Sequence, residues 1–293
     1  MDTRVPFIVA ALVVALAGCR AESVIVGGKP PEKRYTNVVG ISPGATEAFT
    51  QVATSTNLKG RCAACDYPPH ISQLPVVAEV KPNYEKITEI GPDLVVYDAE
   101  LFSDADLAKF KELGIETFAF SATTIPDFQR EMMLLGRLTG SETNASDRAD
   151  EIQAEMNIAQ GAPPAKTLRT MAVTGAPNSD YYVAGTKSFT AAVIQAAGGQ
   201  AVGPDSAKYE PMTMEAILAA NPEVIFVAGS EQDASVAATA LMRDPRFQSV
   251  DAVKNGTVFG VDGSILLRRG SRVKDLIKGM YGALTRSAMR GAN

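Results

Sequence analysis

Two segments of the chain, Glu85–Val96 (EKITEIGPDLVV) and Glu215–Phe226 (EAILAANPEVIF), carry nearly the same pattern 130 positions apart. Each begins with a glutamate, reaches a proline seven positions later, and continues with an acidic residue and an apolar run. Because proline cannot continue a helix and pushes the preceding residue out of the α region, each segment predicts a short helix, a stop and a buried strand. The repetition predicts two similar α/β lobes with a cleft between them.

The segments around the first repeat also alternate between strand and helix patterns. We expect strands at Asn37–Ile41, Leu94–Asp98 and Thr117–Phe120, and helices at Ala45–Thr54 and Ser103–Leu113. Strands that alternate with helices are typical of a parallel sheet.

The second repeat has a similar setting. The sequence predicts strands at Leu168–Thr174 and Thr257–Val261, and helices at Ser188–Ala197, Ser235–Met242 and Val273–Ala288. Between the two α/β regions, apolar residues from Ile125 to about Gln160 recur at helical spacing, interrupted or kinked at Gly140–Thr143. The predicted organisation is an N-terminal lobe (36–125), an interlobe helical linker (126–165) and a C-terminal lobe (166–293).

The composition argues against a nucleic-acid partner and against histidine-rich catalytic sites, although a lone histidine still allows a Cys-His pair. The 293 residues are 46% hydrophobic and 21% charged, as in globular proteins, and the formal net charge of −5 gives no basic footprint for nucleic acid. His70 is the only histidine, which argues against a catalytic zinc site built from histidines or a Ser-His-Asp triad.

The N-terminus predicts export. Arg4 precedes an apolar run, Val5–Ala17, that is too short to span a membrane but suits a signal peptide. The run ends in Leu16-Ala17-Gly18-Cys19, which resembles a bacterial lipoprotein cleavage box. The resemblance implies a signal peptide at 1–18, a lipidated Cys19 and a tether at 19–35 on the outer side of a bacterial membrane.

The most distinctive local sequence is Gly60–His70 (GRCAACDYPPH). We expect Pro68 and Pro69 to hold this loop extended and to present Tyr67 as a platform for a flat ligand, the alternative being a tyrosine packed under its own loop. In an exported protein, Cys62 and Cys65 favour a local disulfide, with a redox or metal role as the alternative. His70 is either a surface histidine or an axial ligand for cobalt or iron.

Two further segments have polar patterns. The run Gly185–Phe189 lacks the spacing of a phosphate-binding loop, so we interpret it as a cap for the helix that begins near Ser188. The basic turn Arg268–Arg272 is either solvated surface or a partner for a carboxylate or an anionic ligand group.

Four segments together resemble the periplasmic-binding-protein family that serves ABC importers of iron complexes and cobalamin. They are Val38–Glu47 (VVGISPGATE), Gly91–Val95 (GPDLV), Asn221–Phe226 (NPEVIF) and Ala252–Val258 (AVKNGTV). The resemblance implies an α/β fold with two Rossmann-like lobes and parallel sheets, one long interlobe helix, little closure on binding and no catalytic activity.

Within that family, Cys65–Pro69 (CDYPP) followed by Leu74–Val77 (LPVV) resembles the cobalamin-binding branch. The resemblance implies that Tyr67 contacts a corrin ring from the first lobe and that Tyr209 answers it from the second. Asp66, Pro68 and Phe189 complete the expected ligand contacts. The chain departs from the family pattern because it has no tryptophan and has Ser264 or Ile265 where further polar or aromatic contacts occur. Glu85 and Glu215 match the glutamates that pair with permease arginines.

The predicted function is therefore that of a lipid-anchored, monomeric substrate-binding protein. It captures cobalamin or a related corrinoid as cargo, without a resident cofactor or metal, and delivers it to a dimeric ABC permease with ATPase subunits. An iron–siderophore or haem-binding protein of the same family is the alternative. A thiol-redox lipoprotein that uses Cys62 and Cys65 is the second alternative.

Overall fold

The computed structural model describes residues 34–53, 57–175, 179–230 and 232–290. The predicted signal peptide, Cys19 and all but the last two residues of the tether lie outside these ranges. No helix within the described ranges is both long enough and apolar enough to cross a membrane.

The first lobe, here the N-lobe, is built on a five-stranded sheet in the order β3-β2-β1-β4-β5. All of its neighbouring strands are parallel, and their order matches the first five strands of the doubly wound Rossmann order 3-2-1-4-5-6. Its strands are β1 (Val38–Gly40), β2 (Leu58–Cys62), β3 (Val76–Ala78), β4 (Leu94–Asp98) and β5 (Glu116–Phe120). Its helices are α1 (Pro43–Val52), α2 (Tyr84–Ile90) and α3 (Asp104–Glu112).

Two further helices, α4 (Ile125–Thr139) and α5 (Glu142–Gly161), connect this sheet to the second lobe. The predicted connection is thus divided at Gly140, which ends α4 in the left-handed conformation. The helices fold back on each other, since Gln129 Nε2 donates to the Ala149 carbonyl at 2.8 Å. The interlobe helix is therefore α5, about 30 Å long at 1.5 Å per residue, which contacts α1 on one side and the second lobe on the other.

The second lobe, here the C-lobe, has a six-stranded sheet in the order β11-β10-β6-β7-β9, with β8 paired to β6. Its strands are β6 (Arg169–Thr174), β7 (Tyr181–Ala184), β8 (Gln200–Ala201), β9 (Tyr209–Met212), β10 (Val224–Gly229) and β11 (Val258–Asp262). Its helices are α6 (Phe189–Ala196), α7 (Met214–Ala220), α8 (Ser235–Arg243), α9 (Asp251–Lys254), α10 (Gly263–Leu266) and α11 (Val273–Arg290).

The C-lobe sheet corrects one prediction, because it is mixed rather than wholly parallel. Strand β7 runs antiparallel to both β6 and β9. Only six positions separate β6 from β7, which is too short for the crossover that a parallel pair needs.

The repeated segments form matching units. Helices α2 and α7 begin with side-chain caps from Asn83 and Thr213, and both end at residues in the left-handed conformation, Gly91 and Asn221. After the proline, the repeated acidic residues Asp93 and Glu223 accept backbone N–H groups at the start of the neighbouring strand, from Asn37 at 2.9 Å and from Arg169 at 3.0 Å. In each lobe, this hydrogen bond joins the junction between the repeated helix and strand to the central strand of the sheet, β1 or β6.

An apolar core continues from one lobe into the other. Phe128 of α4 packs on Phe120 of the N-lobe at 5.9 Å and on Phe189 of the C-lobe at 5.4 Å between ring centroids. All three side chains are buried. Because well-packed cores resist sliding, this contact favours a fixed relation between the lobes with a small hinge.

Candidate ligand site between the lobes

A cavity of about 210 Å³ lies between the lobes. The N-lobe lines it with the start of α1 and the residues that follow β4. The C-lobe lines it with the start of α6, the segment that leads into β9, and the loop before α11. The lining comprises Pro43–Gly44, Asp98, Glu100–Leu101, Ser188–Thr190, Ala207–Tyr209 and Leu267–Arg269.

The N-lobe wall is organised by a buried carboxylate, Asp98, at the end of β4. Its Oδ2 accepts the backbone N–H of Ala45 in the first turn of α1 at 3.1 Å, and its own N–H donates to Ser42 Oγ at 2.7 Å. Burial raises the pKa of Asp98, an effect that the positive charge of Arg269 opposes. One backbone N–H of the first turn of α1, that of Ala45, is therefore satisfied by a side chain of the protein.

The C-lobe wall presents two aromatic side chains. Tyr209 donates from its hydroxyl to Thr190 Oγ1 at 3.2 Å, and burial raises the pKa of this phenol. Phe189 is the first residue of α6, whose N-cap is Ser188 with its Oγ accepting from Ala191 at 3.2 Å. The run Gly185–Phe189 thus caps a helix, as predicted.

The segment Leu267–Arg272, here the arginine loop, joins the C-lobe to the N-lobe through charged contacts. Arg268 Nη1 lies 2.6 Å from Asp66 Oδ1. Arg269 pairs with Glu100 and lies 3.7 Å from the Asp98 carboxylate. The basic turn predicted as either solvated surface or an ion-pair partner is thus an interlobe ion-pair segment.

The deepest contact of the arginine loop is with Glu47 of α1, whose side chain is 1% exposed. Arg272 donates to it from Nε at 2.9 Å and from Nη2 at 2.8 Å, and Ser271 Oγ donates at 2.9 Å. A Cβ on Gly270 would meet Glu47 Oε1 at 2.5 Å, so only glycine fits at this approach.

The loop that carries Asp66 differs from the predicted extended form. The Tyr67–Pro68 peptide bond is cis, and Pro69–Gln73 is a 3₁₀ helix. The prediction failed because Pro69 at the first position of a helical turn is compatible with that turn. Cys62 and Cys65 form a disulfide and are both buried. Arg61 Nη1 donates to the carbonyls of Cys62 and Cys65 at 3.0 and 3.2 Å. These hydrogen bonds tie the loop to the side chain of a residue in β2.

The predicted site residues are only partly brought together. Phe189 and Tyr209 line the cavity, whereas Tyr67, Pro68 and His70 are not among its lining residues. The ring of Tyr67 lies under the guanidinium of Arg272, 4.1 Å from its carbon to the ring centroid, and His70 is exposed. Asp66 reaches the cavity indirectly, through its ion pair with Arg268.

Glu85 and Glu215 lie in the first turns of α2 and α7. Both are exposed, and neither lines the cavity. Their positions are equivalent in the two repeated units, so each lobe presents one carboxylate on a corresponding surface.

Sequence reasoning did not single out Glu47, Glu100 or Lys208. The signal for Glu47 was present, because it follows buried positions of α1 and a carboxylate on a buried helix face requires a partner. The sequence did indicate the basic turn that contains its partner, Arg272. Among the residues that the structure describes, no group of three or more His, Cys, Asp or Glu side chains is arranged to hold a metal ion.

The fold and the cleft agree with the comparison to known families. Residues 38–264 match the family model described as periplasmic binding protein, and the chain belongs to this family. It is a substrate-binding protein of the kind that serves ABC importers rather than an enzyme, and the predicted two-lobed α/β fold class is confirmed.

Three similar proteins illustrate the range of the family. An uncharacterized ABC transporter substrate-binding lipoprotein, YvrC, of Bacillus subtilis is 23% identical over 85% of this chain and 81% of its own. A cobalamin-binding protein of Halobacterium salinarum is 25% identical over 84% of this chain and 68% of its own. The solved structure of the periplasmic heme-binding protein BhuT with two hemes covers 86% of this chain and 98% of its own, with a TM-score of 0.74 and 21% identity.

Proposed function

We propose that this protein captures cobalamin or a related corrinoid in the interlobe cleft and delivers it to an ABC permease. The observation that carries the proposal is the pair of walls described above. Tyr209 and Phe189 present aromatic surface from the C-lobe, and Leu101 and Pro43 present apolar surface from the N-lobe. Aromatic and aliphatic walls on both sides suit the two faces of a flat macrocycle.

The similarity to the cobalamin-binding protein of Halobacterium salinarum supports the same ligand class. The Asp66-Tyr67-Pro68 segment lies beside the cleft, where Asp66 contacts a residue of the cavity wall. In the proposed complex, Tyr67 leaves the guanidinium of Arg272 and faces the ring. In the ligand-free structure, the Tyr67 ring centroid lies 4.1 Å from the guanidinium carbon of Arg272.

Delivery is proposed to use Glu85 and Glu215. Two exposed carboxylates at equivalent places on the two lobes provide two separate anchors for a permease with basic residues on its outer face. Such anchors fix the orientation of docking, and attraction between opposite charges speeds the encounter in a salt-dependent way. We also propose that the protein acts as a monomer and is anchored through a lipid on Cys19.

An iron–siderophore or haem ligand is the second candidate. The fold is shared with a heme-binding structure, and the cations Arg268, Arg269 and Lys208 on the cavity wall suit ligands that carry carboxylates. The thiol-redox alternative has no support, since both sulfur-bearing side chains are buried in the disulfide and the chain belongs to a family of binding proteins.

The test is a titration of the purified protein with cyanocobalamin, dicyanocobinamide, haem and a ferric siderophore, followed by calorimetry and by absorbance. The proposal predicts binding of both corrinoids with no turnover. Binding of haem or the siderophore without binding of either corrinoid would contradict the corrinoid proposal and support the second candidate.

A further inference from the structure

One side chain, Arg61 of β2, bonds the backbone of the loop that follows its own strand. This loop is Cys62–Ser72, here the cysteine loop. Arg61 Nη1 donates to the Ala63 carbonyl at 3.3 Å, in addition to the two cysteine carbonyls described above. Its Nη2 donates to the Ser72 carbonyl at 3.0 Å. A single guanidinium therefore joins the first residues of the cysteine loop to its last.

The other contacts of the cysteine loop lie at its base. The disulfide is buried, and Cys65 Sγ lies 3.2 Å from Thr46 Oγ1 of α1. In contrast, Ala63, Ala64 and Asp66 are exposed. Carbonyl groups in such a segment have no sheet or helix partner and can bond to water in many conformations. The guanidinium is therefore the group that selects one conformation for the exposed part of the loop.

The cysteine loop carries two side chains that reach the second lobe at the border of the cleft. Asp66 Oδ1 lies 2.6 Å from Arg268 Nη1, and the Tyr67 ring centroid lies 4.1 Å from the guanidinium carbon of Arg272. Arg61 itself is not among the residues that line the cavity. Any effect of Arg61 on a ligand in the cleft must therefore pass through the loop.

We propose that Arg61 is a positioning residue for the ligand site, which holds the backbone of Asp66 and Tyr67 at the border of the cleft by bonding carbonyls at both ends of the cysteine loop. Tyr67 can then face the ligand by turning its side chain alone, and a backbone that is ordered in advance lowers the entropic cost of binding. The planar fork of donors on arginine suits several carbonyls at once, whereas a lysine ammonium is a compact point charge. This inference rests on the proposed function and adds a residue that acts on the ligand from outside the cavity.

The first test is a double-mutant cycle on the affinity for cyanocobalamin, measured by calorimetry. Arg61→Gln should weaken binding about ten-fold, because the backbone freedom of about one residue must then be lost on binding. Arg61→Gln/Tyr67→Ala should bind no more weakly than Tyr67→Ala alone, since both changes remove the same contact. Arg61→Lys should be intermediate, and it supplies the cycle if Arg61→Gln does not fold. Lys59→Gln, at an exposed position of the same strand, should bind like the wild type.

The second test needs no ligand. The hydrogen bond from Arg268 is the largest cause that lowers the pKa of Asp66, and Arg61 is not among the causes. A change in this pKa in Arg61→Gln therefore reports a movement of the loop away from Arg268. A ¹³C carboxyl titration should show the Asp66 midpoint rising toward the ordinary 3.8 in Arg61→Gln and remaining low in Lys59→Gln.

The two tests separate the positioning role from the proposed function. If the wild type binds cyanocobalamin and Arg61→Gln binds it equally well, or if the effects of the two substitutions add, the positioning role is wrong and the proposed function stands. A lower unfolding midpoint with unchanged affinity would likewise leave Arg61 a purely structural role. If no corrinoid binds but the Asp66 pKa rises in Arg61→Gln alone, the proposed function is wrong and the positioning of the loop stands. If no corrinoid binds and this pKa is unchanged, both are overturned.

Discussion

Replacing Glu47 with alanine removes the deepest contact between the lobes. The change deletes a buried carboxylate that accepts two guanidinium hydrogen bonds from Arg272 and one from Ser271. Removing one partner of a buried ion pair typically costs about 3–5 kcal/mol, because the other charge is left uncompensated. Arg272 keeps a 3.6 Å contact with Asp262, so we expect a loss in the free energy of unfolding near the lower end, about 3 kcal/mol.

Chemical denaturation of the ligand-free protein measures this loss, and thermal unfolding should show a midpoint about 6–12 °C lower for a chain of this size. Glu112→Ala is the matched control, because its pair with Lys109 is exposed and is worth at most about 1 kcal/mol. The double variant Glu47→Ala/Arg272→Met should lose less stability than Glu47→Ala alone, since no unpaired buried charge remains. A Glu47→Ala loss no larger than that of the control would refute the assignment of Glu47 as the buried anchor.

Three further outcomes follow from the structure. The hydrogen bond from Arg268 is the largest cause that lowers the pKa of Asp66. The Asp66–Arg268 contact therefore stabilises the folded protein above the unfolded-state pKa of Asp66, and this stabilisation is lost as the pH falls through the lowered folded-state pKa. A ¹³C carboxyl titration should give a midpoint below the ordinary 3.8, and a midpoint at or above it would contradict the ion pair. Replacing Cys62 and Cys65 together with alanine should lower the free energy of unfolding by about 2 kcal/mol, the loop-closure value for a ring of about four residues, whereas an unchanged denaturation midpoint would show that the disulfide adds nothing. Alanine at both Glu85 and Glu215 should leave ligand affinity and folding intact but reduce docking and uptake in a reconstituted transport assay; lost ligand binding with normal docking would exclude the proposed anchors.

Much of the fold was predictable because its signals are local. The proline after each repeated helix fixed the end of α2 and α7, and the apolar runs behind Asp93 and Glu223 marked the central strands β4 and β10. What the repeat did not reveal is the mixed C-lobe sheet. Strand β9 (Tyr209–Met212) contains a proline and pairs with a strand more than twenty positions earlier. Neither its composition nor the sequence next to it therefore predicted a strand.

The site was harder to predict because it is assembled from contacts between distant positions. Arg272 and Glu47 lie 225 positions apart, and no pattern within either segment identifies its partner. Tyr67 shows a different kind of error, in which a local pattern made a prediction that a distant contact overrides. Its setting between a cysteine pair and two prolines predicted an exposed platform, but the ring is half-buried beneath Arg272, because the guanidinium of the other lobe finds an aromatic face there.

The most direct test of the account is the affinity of cyanocobalamin for three proteins, measured by calorimetry: the wild type, Tyr209→Ala and Tyr182→Ala. Tyr209 lines the cleft, whereas Tyr182 is an exposed tyrosine that is not among the lining residues. Loss of one aromatic contact with the ring, worth about 1–3 kcal/mol, should weaken binding by roughly ten- to a hundred-fold for Tyr209→Ala and leave Tyr182→Ala like the wild type. Wild-type binding that Tyr209→Ala leaves unchanged would contradict the assignment of the interlobe cleft as the ligand site.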